Sequence, residues 1–160
     1  IKRFKILLKV EKAKSRDDKV SFDLGEIDEI LGFHIRLAHG AVYRHFTDTF
    51  SDLGLTQKQV SVLWLTEDNV GLAQADLCRL LQMDRATIMA IVNSLQKRGY
   101  IKRRPSKKDG RKQILELTKL GAKSLEQAKR AVKTHEKWLR SRFSESEIRT
   151  LIGMLKRIHD

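Results

Sequence analysis

The sequence predicts a mainly α-helical chain that carries one small β-hairpin. Apolar residues recur at three- and four-residue steps through most of the 160 residues, which is the spacing of one helix face. Helix-breaking residues are sparse, since the chain contains one Pro and nine Gly. Shortly after residue 100 the spacing changes to the two-residue alternation of strands around an Asp-Gly turn. We therefore expect long helices that are interrupted once by a hairpin.

The first predicted helix spans Asp23 to Phe50. Its main apolar stripe consists of Ile27, Leu31, Ala38, Val42, Phe46 and Phe50. Further apolar residues lie off this stripe, at Ile30, Phe33, Ile35 and Leu37. A helix that is apolar on more than one side needs more than one packing partner. We expect this helix to lie between its own domain and a second copy of the chain.

Two further helices are predicted next. Thr56 is a suitable N-cap for a helix from Gln57 to about Thr66, whose inward residues are expected to be Val60, Leu63 and Trp64. The following short helix spans Gln74 to Leu81, and its apolar residues are Leu77, Leu80 and Leu81.

The short helix is followed closely by another. After a tight turn at Gln82–Met83, Asp84 is a suitable N-cap for a helix from Arg85 to Arg98. Gly99 is placed to end this helix in a left-handed conformation. The inward stripe is expected to be Ile88, Ile91, Val92 and Leu95. Two helices joined by a short turn form a helix-turn-helix.

The predicted hairpin follows directly. Tyr100–Arg104 is expected to be the first strand, Pro105–Lys112 a polar loop with a turn at Asp109–Gly110, and Gln113–Leu117 the returning strand. Thr118 then caps a long helix that ends at about Arg140. A last helix is predicted after the capping-box segment Ser144–Glu147, with apolar residues at Ile148, Leu151, Ile152, Leu155 and Ile158.

The charge of the chain is concentrated around the hairpin. The formal net charge is +13 and the pI is about 10.1, which favours polyanionic partners. Nine basic residues and a single acid, Asp109, lie between Lys97 and Lys112. A run of charges is usually only a solvated surface. Because this run adjoins a helix-turn-helix, we expect it to bind double-stranded DNA.

Several motifs occur in the order and spacing of the MarR family of bacterial regulators. They are Leu55–Gln59, Asp84–Thr87, Leu95–Ile101, the wing-tip signature Asp109–Arg111, and Leu117–Gly121. The chain resembles this family over roughly residues 24–160. The resemblance implies a homodimer with a helical dimerisation region, 21–54 and 118–160, and a winged helix-turn-helix DNA-binding lobe, 55–117. Residues 1–20 are a basic N-terminal arm whose role the sequence does not indicate.

A finer resemblance concerns regulators of aromatic-acid catabolism, such as hydroxycinnamate catabolism, that respond to aromatic acyl-CoA thioesters. It rests on Leu31–His39 followed by Leu55–Gln59. It implies a repressor whose bulky anionic effector binds between the dimerisation and DNA-binding regions. The candidate effector-binding residues are Phe33, His34, Arg36, His39, Tyr43, Arg44 and Trp64. Dimer packing is an equally good interpretation of the helix face that carries Arg36 and Tyr43, and core packing the better one for Trp64.

A helix in the major groove offers its N-terminal, outward residues to base edges. Here these residues are Arg85, Ala86, Thr87, Met89, Ala90 and Asn93. Arg85 suits a bidentate contact to guanine, and Asn93 suits either a bidentate contact to adenine or a phosphate contact. Phosphate contacts are expected from Lys102, Arg103 and Arg104. The hairpin tip is expected to enter a minor groove with Lys107, Lys108 and Arg111, while Asp109 and Gly110 shape the turn.

The sequence argues against catalysis and against a bound metal or cofactor. It contains no Gly-rich phosphate loop, no Gly-x-Ser-x-Gly elbow and no His-Glu-x-x-His motif. His34, His39 and His45 share one helix, but no pair has the three- or four-residue spacing of a helical metal site.

No apolar run approaches the roughly 20 residues of a membrane span, so we expect a cytoplasmic protein. Two other functions stay open: a non-specific architectural DNA-binding protein without an effector, and a protein that binds anionic membrane surfaces through its first ten residues.

Overall fold

The computed structural model describes residues 22–106 and 113–159. Within them six α-helices and one antiparallel hairpin follow one another in the order α1 (Leu31–Thr49), α2 (Gln57–Asp68), α3 (Gln74–Leu81), α4 (Arg85–Lys97), β1 (Ile101–Pro105), β2 (Gln113–Leu117), α5 (Lys119–Arg140) and α6 (Glu145–His159). The predicted mainly α fold with a small β-hairpin is confirmed. The expectations for residues 1–20 and for the hairpin tip fall outside the described residues.

The prediction of one helix from Asp23 to Phe50 is wrong at its N-terminal end. Gly25 has a positive φ of 57° and begins a short 3-10 turn that ends at Glu29. Ile30 is then extended, so α1 begins at Leu31. The apolar spacing continues through this break, and for that reason periodicity alone did not detect it.

Short-range capping chemistry starts α2, α4, α5 and α6 where the sequence predicts. The Asp84 carboxylate accepts a hydrogen bond from the backbone N–H of Thr87 at 2.8 Å, which satisfies one free donor at the start of α4. Side-chain oxygens of the same kind cap α2, α5 and α6, from Thr56, Thr118 and Ser144 respectively. The helix ends follow the same logic, since Gly99 has the expected left-handed φ of 72°.

The core of the lobe lies beneath α2, α3 and α4. Leu63, Leu77, Ile88, Val92 and Leu95 are completely buried there. The helix α3 packs on α4 and β2. Of its apolar residues, Leu77 is completely buried, whereas 56% of the surface of Leu80 is exposed. Trp64, which was expected inward, is half-buried.

The hairpin is anchored to the lobe at its base. Its register pairs Ile101 with Leu117 and Pro105 with Gln113. Tyr100 lies outside the strand, against prediction, because its N–H donates to the Leu95 carbonyl at 2.9 Å and so completes the end of α4. The N–H of Leu115 donates to the carbonyl of Leu72 at 2.8 Å and ties β2 to the loop before α3.

The helix α5 packs against both α1 and α2. The elements at either end of the described chain leave large apolar side chains exposed: Phe22, Leu24, Ile27, Ile30, Leu31, Ile35, Leu37, Phe143, Leu151, Ile152, Met154, Leu155 and Ile158. Across residues 22–106 and 113–159, every helix is too short or too polar to cross a lipid bilayer.

Candidate nucleic-acid interface

The first turn of α4 faces away from the core. Ile88 and Val92 are completely buried, so the opposite side of the helix, with Arg85, Ala86 and Met89, is exposed. Thr87 is half-buried, and its hydroxyl donates to the second oxygen of Asp84 at 2.6 Å. The hydrogen of the hydroxyl is therefore engaged in the cap, and the hydroxyl is not available as a donor to other groups.

The cap also fixes the charge at this end of the helix. Hydrogen bonds from the Thr87 hydroxyl and then from the Thr87 backbone lower the pKa of Asp84, because both stabilise the carboxylate. A negative charge at a helix N-terminus is favourable to the helix dipole. The adjacent Arg85 side chain is exposed beside it and supplies the cation at the tip of the helix.

A groove of about 840 Å³ runs between the helix-turn-helix and the hairpin. Its lining includes Arg85 and Met89 from α4, Gln74 and Cys78 from α3, and Gln113 from β2. The outward residues of α4 and the hairpin therefore border one continuous concave surface.

The strand β1 divides its basic side chains between two sides. The amino group of Lys102 and the guanidinium of Arg104 each lie 3.2 Å from the Glu116 carboxylate on β2. Both cations are partly exposed, so the ion pair is worth little and leaves net positive charge on this side. Arg103 lies on the other side of the strand, as the two-residue alternation requires.

Arg103, which is half-buried, contacts the helix-turn-helix. Its guanidinium donates to the amide oxygen of Asn93 at 2.7 Å and to the amide oxygen of Gln96. It also reaches the Gln74 amide oxygen on α3 at 3.4 Å. Sequence reasoning placed Asn93 at a base or a phosphate and Arg103 at a phosphate, and it missed the bond between them. The sequence signal that could have indicated this contact was the three-residue spacing of Asn93 and Gln96 on the outward face of α4.

The predicted residues of the hairpin tip, Lys107, Lys108, Asp109, Gly110 and Arg111, lie outside the described residues. Their roles therefore stay predictions. Ser106, which follows β1, and Gln113 at the start of β2 line the same groove as Arg85.

The candidate effector residues fall into two groups. On α1, the Arg36 guanidinium lies 5.2 Å from the Phe33 ring centre, and the His39 and Tyr43 rings are 6.3 Å apart. His34, Arg36, His39, Tyr43 and Arg44 are exposed, while Phe33 is half-buried. Trp64 stands apart on α2, where the Lys129 amino group of α5 lies 4.8 Å from its ring centre. Within residues 22–106 and 113–159, no hydrogen bond or ring contact joins Trp64 to these α1 residues.

A histidine pair joins α1 to α5, and sequence reasoning did not anticipate it. The Nδ1 atoms of His45 and His135 are 2.8 Å apart in a hydrogen bond, and the His45 ring stacks on Trp138 at 4.0 Å. Burial first, and then the charge of His45, lower the pKa of His135. The two residues are 90 positions apart, so no local pattern could have connected them.

A family model described as the MarR family matches residues 53–112. A protein assigned as the transcriptional regulatory protein for the hcr operon of Thauera aromatica is 35% identical over 130 residues, which make up 81% of this chain and 78% of that protein. The chain belongs to the MarR family of transcriptional regulators. The resemblance inferred from the sequence motifs is thereby confirmed.

Solved structures of MarR-family regulators match the fold. A structure of the transcriptional repressor CouR bound to a 23-mer DNA duplex superposes with a TM-score of 0.81, at 32% identity, over 88% of this chain and 99% of that one. CouR bound to p-coumaroyl-CoA superposes with a TM-score of 0.78, at 31% identity, over 87% of this chain and 98% of that one.

Proposed function

We propose that this MarR-family chain is a dimeric, ligand-responsive repressor of genes for aromatic-compound catabolism. It would bind a pseudo-palindromic operator and leave it when an aromatic acid or its acyl-CoA thioester binds. The observation that carries the proposal is the 32% identity, over nearly the whole chain, to a repressor solved on a DNA duplex. The exposed first turn of α4, beside a basic hairpin, supports the same conclusion.

The α4 surface supports recognition of base edges in the major groove. Arg85 is the exposed cation at the helix tip and suits a bidentate contact to guanine. Ala86, Met89 and the Thr87 methyl group are apolar and suit the methyl group of thymine. Lys102 and Arg104 face away from α4 and suit phosphates, which position the protein without reading sequence.

The hairpin tip completes the proposed DNA contact. Lys107, Lys108 and Arg111 carry the positive charge there, and a narrow minor groove attracts such side chains. If six to ten phosphates are engaged across the dimer, affinity should fall by about 10³–10⁵ between 50 and 200 mM salt.

The exposed apolar residues on α6 and near the start of α1 support a homodimer. Ile30 and Leu31 at the start of α1, and Ile152 and Ile158 on α6, are each close to half exposed or more. Large contiguous apolar surface is a sign of an interaction site. A twofold dimer presents two α4 helices, and half-sites about 34 Å apart are then expected.

The effector proposal rests on the similar CouR structure that contains p-coumaroyl-CoA. The exposed α1 face offers the cations Arg36 and Arg44 beside the aromatic rings of Phe33 and Tyr43. Such a surface suits an anionic aromatic compound. The effector must bind the non-DNA conformation more tightly than the DNA-bound one, since only a difference in affinity shifts the equilibrium.

Selection of bound fragments from a random duplex pool, at about 150 mM salt, tests the DNA-binding part of the proposal. The full chain should enrich one palindromic motif. Arg85→Ala should relax the preference at one position of each half-site by about 1–3 kcal/mol. Arg130→Ala, which removes an exposed cation paired with Glu126 on α5, is the matched control and should keep the motif. Enrichment of no motif by the unaltered chain would leave the architectural function instead.

A further inference from the structure

We infer that Arg103 is a positioning residue that fixes the orientation of the Asn93 and Gln96 side-chain amides toward the DNA. By holding their oxygens, it makes α4 present N–H donors to the base edges. The inference rests on the proposed function, since it names a determinant of base preference within the same DNA-binding surface.

The geometry places one guanidinium among three side-chain amides. Arg103, on β1, donates to the Asn93 oxygen at 2.7 Å, to the Gln96 oxygen, and to the Gln74 oxygen at 3.4 Å. Across residues 22–106 and 113–159 no carboxylate forms an ion pair with it, whereas its strand neighbours Lys102 and Arg104 both reach Glu116. The positive charge of Arg103 is therefore directed at amide oxygens.

A guanidinium can only donate hydrogen bonds, and this property decides the amide orientation. An amide carries an acceptor oxygen at one end and a donor NH₂ at the other. If the Asn93 amide turned over, its NH₂ would meet the N–H groups of Arg103 and both would lose a partner. The charge on Arg103 also strengthens the bond to the oxygen. Asn93 and Gln96 therefore keep their NH₂ groups away from Arg103.

This orientation changes the base that Asn93 is expected to select. An asparagine that reads adenine needs its oxygen free for the N6 amino group and its NH₂ for N7. Here the oxygen lies against a cation, which repels the amino groups of adenine and cytosine. The outward NH₂ instead suits the keto oxygens of guanine O6 and thymine O4. We therefore expect a keto base opposite Asn93, in place of the adenine that the sequence alone indicated.

The position of Arg103 also separates this role from a phosphate contact. Asn93 is exposed on the DNA side of α4, while Arg103 is half-buried behind it. Loss of a phosphate contact weakens binding to all sequences and lowers the salt slope by about one. Loss of a positioning residue instead relaxes one base preference and leaves the salt slope unchanged.

The test is duplex selection with the full-length chain carrying Arg103→Lys, with Arg130→Lys on α5 as the matched control, since Arg130 is an exposed cation paired with Glu126. The unaltered chain and Arg130→Lys should share one motif, with a keto base preferred at least about tenfold at one position of each half-site. Arg103→Lys keeps the charge but cannot hold three amides, so it should lower that preference to near one and leave the other positions intact.

Asn93→Ala supplies a second, independent variant, since its side chain is exposed and leaves the core untouched. It should lose the same preference, and the double variant should lose nothing more, because the two residues act as one unit. An unchanged motif in Arg103→Lys, or an equal loss of affinity for all sequences, would overturn the inference. If the unaltered chain enriched no motif, the proposed function would fail together with the inference.

Discussion

The backbone of Tyr100 lies directly against Gly121 of α5, and an added methyl group there should destabilise the fold. A Cβ atom at this position would lie 2.0 Å from the Tyr100 carbonyl oxygen and 2.8 Å from its carbon. Carbon atoms pack at about 3.5–4.0 Å, so this backbone carbonyl would have to retreat by more than about 1 Å. It cannot rotate away as the end of a flexible side chain would.

The retreat has a second cost, since the same carbonyl accepts a hydrogen bond from the Thr118 N–H at 3.0 Å. Overpacking costs about 1–3 kcal/mol and a weakened hydrogen bond about 0.5–1.5 kcal/mol. We therefore expect Gly121→Ala to lower the free energy of unfolding by about 2–4 kcal/mol. For a chain of this size that lowers Tm by about 5–15 °C.

Thermal and urea unfolding at one fixed protein concentration measure the effect, since a dimer melts in a concentration-dependent way. Gly32→Ala is the matched control, because nothing lies within 4 Å of a Cβ at that helical position. The control should be neutral or more stable, by up to about 1 kcal/mol, from helix propensity. A Gly121→Ala midpoint equal to that of the unaltered chain would refute the close approach of Tyr100.

Two further predictions concern stability. Thr118→Ala removes a hydroxyl that makes two hydrogen bonds: its oxygen accepts from the Gly121 N–H at 3.0 Å, and it donates to the Gly99 carbonyl at 2.6 Å. Calorimetry should therefore find Thr118→Ala about 1–2 kcal/mol less stable and Thr150→Ala nearly neutral. The second prediction concerns pH. Folding lowers the pKa of His135 from its usual value of 6.5, so below pH 6.5 the unfolded chain binds more protons than the folded chain does. Stability should therefore fall as pH drops below 6.5, and His135→Gln should flatten this loss in urea titrations, whereas an equally steep loss would contradict the assignment.

The elements that the sequence predicts well are those whose signals lie within three or four residues. Asp84 and Thr118 cap the helices that follow them, and each bond spans three positions. The bounds of α3 and β2 agree with prediction for the same reason, since turn residues flank both. Local hydrogen-bonding chemistry of this kind can be predicted from the sequence alone.

The features that the sequence did not predict depend on contacts between distant segments. The apolar spacing at Ile27 and Leu31 continues across the break at Ile30, so the start of α1 was placed too early. The Arg103 contacts join three separate elements, and His45 meets His135 across 90 positions. Periodicity describes one element at a time and carries no information on contacts between distant segments.

At the candidate site, too, the sequence predicted the local features and did not predict the tertiary contacts. That α4 presents Arg85, Ala86 and Met89 outward followed from the buried stripe on its other face. The state of each polar group did not follow, because Thr87 donates to its own cap and Asn93 is held by Arg103. Residue type and spacing thus indicated which side chains face outward, and the tertiary contacts decide which of their polar atoms are already hydrogen-bonded.

We propose that an aromatic thioester releases this chain from its operator. Fluorescence anisotropy of a labelled duplex carrying the selected motif measures this release directly, at about 150 mM salt with p-coumaroyl-CoA as the probe and free CoA as the control. We predict that the thioester frees the duplex and that free CoA does not. A duplex that stays bound at saturating thioester, or that free CoA releases equally, would show that the thioester is not the effector.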